Sequence, residues 1–248
     1  MHTFSRLLDI IYPPRCHICE EFLSCNKNEF EDDNSLPICI SCLHDLTEIT
    51  PPLCPVCGIF FKSRTEESHM CEDCLRKKPF YDATGAPYLY EGGLMTAIQR
   101  LKYRGKVHLA DSLGRLLASF TRKWLENGND CLIMPVPLHP KRLRERGFNQ
   151  SLLLAKSVCS LLDMELDFLS LRRVRYTQPQ TGLSRSERRK NVRRAFEVHD
   201  KAGIKKQTII LVDDVATTGT TLNECARVLK RAGCKKVFCV VLARTHGT

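Results

Sequence analysis

The chain has 248 residues, 43% of them hydrophobic, a formal charge of +10 and fourteen cysteines. That is enough apolar material for one α/β domain of ordinary size with something smaller beside it, which excludes a disordered or fibrous chain. The opening MHTFSRLLDIIYPP is interrupted by Asp9 and stopped by Pro13 and Pro14, too short for a secretory leader or a membrane span. A cytoplasmic, reducing setting is therefore expected, and a disulfide-stapled secreted module is not.

Nine of the fourteen cysteines precede residue 75, eight of them as the C-x2-C pairs Cys16/Cys19, Cys39/Cys42, Cys54/Cys57 and Cys71/Cys74. Each pair makes a tight knuckle that turns two thiolates toward one ion, and a tetrahedral Zn2+ needs two knuckles. Two structural zinc ions per chain are expected. Sequential pairing closes the shorter loops and is preferred, with a RING-like cross-brace as the alternative. Cys54-Pro55-Val56-Cys57-Gly58 looks like a ribbon knuckle, Gly58 relieving crowding after the second ligand. Cys25 is read as a spare thiol, and His17, His44 and His69 as surface residues. Four thiolates leave no position for water, so these sites are structural and not catalytic. Eight thiolates against two divalent ions lower the formal charge to about +6, which still favours anionic partners.

After Lys77-Lys78-Pro79 the cysteines stop. A boundary near residue 80 divides a double zinc-finger domain, residues 1–80, from a larger domain, residues 81–248. Tyr81 to Tyr90 reads as a turn-rich extended segment, and Leu94 to Lys102 as a helix. Leu109 to Leu125 reads as another, with Leu109, Leu113, Leu116, Leu117, Phe120 and Trp124 on one face. Between them Lys102, Arg104 and Lys106 surround Gly105, either as a solvated turn or as a phosphate contact.

Cys131 to Pro137 reads as a buried strand whose Pro-Val-Pro exit predicts a stiff extended loop. That loop carries Lys141, Arg142, Arg144 and Arg146, after which Gly147-Phe148-Asn149-Gln150 opens a helix through Leu161. Phe168 to Val174 reads as a third strand. Residues 172–206 hold twelve Lys or Arg against three acids, centred on TQPQTGLS at 177–184. This basic run is expected to be mobile without ligand, as a lid on pyrophosphate, a track for a nucleic-acid backbone, or both.

Ile209 to Val212 is the continuous apolar run of a strand covered on both faces, expected to end at Asp213 and Asp214. The two carboxylates then diverge, both within reach of a polyhydroxyl ligand lying across the edge. Ala216-Thr217-Thr218-Gly219-Thr220 follows as a turn. Its hydroxyls and the free N–H groups of the next helix converge on one spot suited to phosphate. Leu222, Ala226 and Leu229 continue that helix, Gly233 ends it, and Val237 to Leu242 supplies a last strand.

The thirteen residues IILVDDVATTGTT resemble the phosphoribosyl pyrophosphate (PRPP) signature of type I phosphoribosyltransferases. Together with the cysteine array, LKYRGK, PVPLHPKRLRERGFNQ and TQPQTGLSRSERRKNVRRAF, they make nearly the whole chain similar to the ComF family, also called ComFC or GntX-like proteins. The resemblance implies an α/β fold, a type I phosphoribosyltransferase-like parallel sheet flanked by helices, preceded by a small cysteine-rich zinc-binding domain. It implies PRPP or a related phosphoribosyl ligand with Mg2+, and a part in natural transformation after DNA uptake. Carried over by position, Asp213 and Asp214 bind the ribose hydroxyls and Thr217, Thr218, Gly219 and Thr220 the 5-phosphate, with Ala216 also among the PRPP-binding positions. Lys102, Arg104, Lys141, Arg144 and Arg146 are the candidates for pyrophosphate.

No Gly-x-Ser-x-Gly, dinucleotide fingerprint or Walker loop is present, so no motif names an acceptor nucleophile. Two functions follow as expectations. One is a PRPP-binding protein that handles single-stranded DNA, with or without a DNA-processing partner docked on the zinc module. The other is a phosphoribosyltransferase acting on a nucleobase or amine.

Overall fold

A computed structural model describes residues 13–23, 36–61, 67–125, 131–177 and 184–246. Cys25 and residues 178–183 of the basic run lie outside them. The main sheet has five parallel strands: β1 (Ala83–Gly85), β2 (Tyr88–Leu89), β3 (Cys131–Pro135), β6 (Thr208–Ala216) and β7 (Lys236–Arg244). Their order is β1, β7, β6, β3, with β2 also pairing along β7. Ile209, Ile210, Leu211 and Val212 are wholly buried at the centre, as a run without polar alternation demands when helices cover both faces.

One face packs against α3 (Gly92–Arg104), α4 (Leu109–Trp124) and α6 (Gln150–Leu162). There Ile98, Leu101, Leu113, Leu117, Leu154 and Val158 meet Ile210, Val212 and Val240. The other packs against α8 (Thr220–Arg231), whose Leu222, Cys225, Ala226 and Leu229 meet Ile209, Leu211, Cys239 and Val241. Burying each such leucine or isoleucine contributes about 1.5–3 kcal/mol. α4 and α6 approach closely because Gly114 has no side chain; a Cβ there would lie 2.3 Å from Ser157 Cβ.

Three expectations are corrected. Residues 140–146 are not an extended loop but a helix, α5 (Pro140–Arg146). His139 caps it by accepting from the Lys141 N–H at 3.2 Å, Pro140 occupies the first turn, and Gly147 ends it at φ 84°. β6 does not stop at the aspartates, because β7 continues beside it to pair Asp213 with Val241 and Ala216 with Arg244. The strand near 168–174 is only β4 (Leu171–Arg173), and it leaves the main sheet to pair antiparallel with β5 (Phe196–Val198). Of the basic run, the described part also includes α7 (Arg185–Val192), opened by a capping box of Ser184 and Glu187.

The cysteine-rich part holds two short helices, α1 (Ile40–His44) and α2 (Glu72–Arg76), and is hydrogen-bonded into the sheet edge. Thr84 N–H donates to Val56 O at 2.8 Å, Ile49 N–H to Pro87 O at 2.8 Å and Leu89 N–H to Thr47 O at 2.9 Å. Arg100 Nη1 donates to Ile18 O at 2.9 Å, and Ile18, Leu23 and Ile38 join the apolar cluster around α3. A boundary near residue 80 thus remains a proposal from composition; these contacts cross it continuously.

Candidate functional site

β3 ends at Pro135, opposite Val212, while β7 runs on to Arg244. From Asp213 onward β6 therefore has a strand on one side only, and the vacated side is met by the start of α6. Asn149 caps that helix by accepting from Ser151 N–H at 3.1 Å, and it ties the preceding loop down through Nδ2 donating to Val136 O at 3.1 Å. Ser151 Oγ, thus placed, donates to Asp213 Oδ1 at 2.7 Å. Asp214 faces away, 3% exposed, and forms an ion pair with Lys102 from the last turn of α3.

These contacts set the charges. Asp213 is partly exposed as a residue, but its carboxyl group is enclosed, and burial with the adjacent Asp214 carboxylate pushes it up to about 7. Lys102 and the Ser151 hydroxyl pull the other way. Burial disfavours the Lys102 ammonium, yet Asp214, and then Asp213, hold its pKa above the ordinary lysine value. One enclosed carboxyl poised near neutrality thus lies beside one that faces the Lys102 ammonium.

Three residues beyond Ala216, Gly219 adopts φ 67° at the N-cap of α8 without offering a side-chain cap. This twelve-residue helix thus begins at a glycine that contributes no side-chain cap, the kind of helix start that suits an anion. Thr218 and Thr220 hydroxyls lie 2.6 Å apart on this turn. Thr245 N–H donates to Ala216 O at 3.1 Å, and Phe80 N–H to Asn223 Oδ1 at 2.7 Å, fixing the turn from both ends. A Cβ on Gly219 would lie 3.2 Å from the Tyr81 hydroxyl, a close neighbour that the sequence does not advertise.

The five candidate cations do not converge on one point. Lys102 sits on Asp214, and Arg146 donates through Nη1 to Gln150 Oε1 at 2.5 Å with its guanidinium 5.5 Å from the Tyr103 ring. Lys141 lies 4.7 Å from the Tyr176 ring, and Arg104 and Arg144 are exposed. Arg173 is not among those candidates, yet its charge acts on Asp213, and its Nε is buried without a hydrogen-bond partner. Only its place in the basic run signals it.

Beyond the turn opens a cleft of about 960 Å3 between α2, α7 and α8, lined by Thr217 to Thr220 and by Lys77, Lys78, Arg188, Arg227 and Arg244. The basic run and the cysteine-rich part thus share a wall with the turn.

Cys16, Cys19, Cys39 and Cys42 form one cluster, and Cys54, Cys57, Cys71 and Cys74 the other, with the sulfurs of each within 4.8 Å of one another. This is the sequential pairing, not the cross-brace, and no histidine among the described residues joins either cluster. Tetrahedral Zn–S bonds of about 2.3 Å require sulfurs about 3.8 Å apart; Cys19 and Cys39 are at 3.8 Å, Cys57 and Cys71 at 3.6 Å. The N–H groups of Ile18 and Cys39 donate to Cys16 Sγ at 3.4 and 3.3 Å, contacts that favour the thiolate a metal needs. Gly58, at φ 68°, lets the second knuckle press on the sheet, since a Cβ there would lie 2.4 Å from Thr84 O.

Residues 149–248 match the phosphoribosyl transferase domain family, and residues 7–75 the double zinc ribbon domain family, which the two four-cysteine zinc-binding sites fit. The chain is 31% identical over 234 residues to Competence protein F of Haemophilus influenzae, covering 93% of this chain and 96% of the relative. It is 32% identical over 212 residues to DNA utilization protein YhgH of Escherichia coli, covering 84% and 90%. Competence protein ComFC of Bacillus subtilis is 28% identical over 203 residues, covering 79% of each chain. With a type I phosphoribosyltransferase fold behind a double zinc ribbon, this chain belongs to the ComF family.

Proposed function

We propose that the rim at the carboxyl end of β6 binds PRPP, or a related phosphoribosyl ligand, with Mg2+, and that the protein acts on single-stranded DNA after its uptake. The observation that carries the first part is the succession on one strand, turn and helix of a carboxyl pair, a left-handed glycine and a helix start without a side-chain cap. Asp213 meets the ribose hydroxyls, and the turn at Thr217 to Thr220 meets the 5-phosphate. Lys102 pairs with the buried Asp214 while Ser151 orients Asp213. Arg173 supplies positive charge on the acid side, where a pyrophosphate would lie.

The carboxylate oxygens are suitable donors for Mg2+, but among the described residues the clusters of three or more metal-ligating side chains are the two thiol sets. The ion would therefore arrive with the ligand's phosphates, as Mg2+ commonly does, and when bound it would neutralise pyrophosphate charge.

The names of the relatives, Competence protein F and DNA utilization protein, support a competence-related role. The cation-lined cleft supports contact with a phosphodiester backbone, and a DNA-processing protein could dock on the ribbon beside it. A phosphoribosyltransferase is the second reading. It is favoured by Asp213, whose carboxyl near neutrality suits proton transfer from an acceptor.

Thermal protection tests the first part. PRPP with Mg2+ should raise the melting temperature of the native chain and not of Gly219→Val; equal protection of both would remove the turn from the site. Pyrophosphate release with a nucleobase would favour the transferase, and DNA affinity falling steeply with salt would favour DNA handling.

A further inference from the structure

Arg244, the last residue of β7, is 4% exposed, and its Nε and Nη1 are buried without any hydrogen-bond partner. A buried guanidinium is ordinarily paired, because its desolvation is costly and its five donors are difficult to leave unused. Its register opposite Ala216 sets it immediately before the Thr217 to Thr220 turn, and it lines the same cleft as that turn and Tyr81. Its charge reaches the Cys57 thiol of the second ribbon and the Tyr81 hydroxyl, opposing the rise that burial imposes on both. Of the two acids lining the cleft, Asp73 and Glu224, the latter already accepts from Arg227 Nε and Nη2 at 2.8 and 2.6 Å and from Arg194 N–H at 2.6 Å.

We infer that Arg244 and Tyr81 form a second wall facing the Thr217 to Thr220 turn, and that the pocket between them takes a phosphomonoester dianion with the Cys57 knuckle of the second ribbon behind it. Nε and Nη1 donate from different edges of the guanidinium, so the fork that matches two oxygens of a phosphate pairs Nη2, the nitrogen not enclosed, with one of them, the bidentate arrangement a lysine does not reproduce. The Tyr81 hydroxyl, already against Gly219, adds a third donor. The zinc ribbon thereby builds part of the ligand site and is more than an appendage. The dianion has two sources, the 5-phosphate of a phosphoribosyl ligand or the terminal phosphate of a DNA strand. The first of these rests on the function proposed above.

The competing role for Arg244 is counter-ion to the second zinc site, since four thiolates on one Zn2+ carry a net charge of about −2. Lysine supplies that charge without the fork, so the two roles separate. The test titrates inorganic phosphate, PRPP with Mg2+, and 5′-phosphorylated and 5′-hydroxyl oligodeoxynucleotides into the native chain, Arg244→Gln, Arg244→Lys and Tyr81→Phe, with zinc content measured for each. Arg244→Gln and Arg244→Lys should keep both zinc ions and weaken phosphate at least about tenfold, and Tyr81→Phe should weaken it by a smaller factor.

A parallel loss for PRPP identifies the phosphoribosyl source, and a loss confined to the 5′-phosphorylated strand identifies the DNA end. Phosphate that fails to bind, or binds equally to Arg244→Gln, overturns the inference. So does loss of zinc together with phosphate in Arg244→Gln and recovery of both in Arg244→Lys. PRPP bound normally by Arg244→Gln would spare the phosphoribosyl reading. PRPP unable to bind the native chain, with phosphate still dependent on Arg244, would sink that reading and leave the wall standing.

Discussion

Replacing Asp213 with asparagine should make the ligand-free protein more stable at neutral pH while removing a contact its ligand needs. Folded, this carboxyl titrates at about 7 against an ordinary 3.8, held up by burial and by Asp214. An acid whose pKa is raised by folding keeps its proton longer in the native state than in the unfolded chain. Its contribution to stability therefore declines as pH rises from about 4 to 7 and is constant above. At 1.36 kcal/mol for each tenfold change in proton affinity, that difference sets a ceiling of about 4 kcal/mol. Solvent at the partly exposed edge and a weakened Ser151 bond, about 1 kcal/mol, reduce the expected gain to roughly 1–3 kcal/mol at pH 8. That corresponds to a rise of about 2–12 °C in melting temperature for a chain of this size. Urea titrations of both proteins at pH 4, 6 and 8 measure it. The difference should grow with pH, and saturating PRPP with Mg2+ should reverse the order. A variant less stable than the native chain at pH 8, or a gap independent of pH, would refute the reasoning.

Lys102→Met strands the Asp214 carboxylate in the interior and should cost about 3–5 kcal/mol, most of it recovered by adding Asp214→Asn. Because folding raises the Lys102 pKa, its contribution is complete at neutral pH and is lost as pH passes above the lysine range, so the deficit of Lys102→Met in denaturant melts should shrink there. Gly219→Val forces a branched side chain to φ 67° against the Tyr81 hydroxyl, which should cost about 1–2 kcal/mol by calorimetry and weaken phosphate at the turn. Cys57→Ser should lower elemental zinc from two ions per chain to one and leave the first site loaded, since the two clusters share no ligand.

Much of this was legible where one local rule governed each element. Ile209 to Val212 could be only a doubly covered strand, and the leucines of α4 fell on one helical face. The pairing of cysteines followed loop length. The rule failed where a neighbour decided. Nothing local shows that β7 extends β6 through the aspartates. Pro135 and Pro137 suggested an extended exit, whereas Pro140 at a first turn and the His139 cap nucleate α5 two residues later. β4 leaves the main sheet because β5, far along the chain, pairs with it. In the site, Asp213 and the Thr217 to Thr220 turn were readable from one contiguous stretch. Ser151, Tyr81, Arg173 and Arg244 were not, because each arrives from a different element and is made relevant only by packing.

The most direct measurement is calorimetric titration of PRPP with Mg2+ into the native chain and into Asp213→Asn/Asp214→Asn. The native chain should bind saturably and one-to-one, and the double variant at least about tenfold more weakly, from the lost charge-assisted contact of Asp213 of about 1.5–3 kcal/mol. Equal affinity for both proteins, each shown to be folded, would contradict the assignment of this pocket.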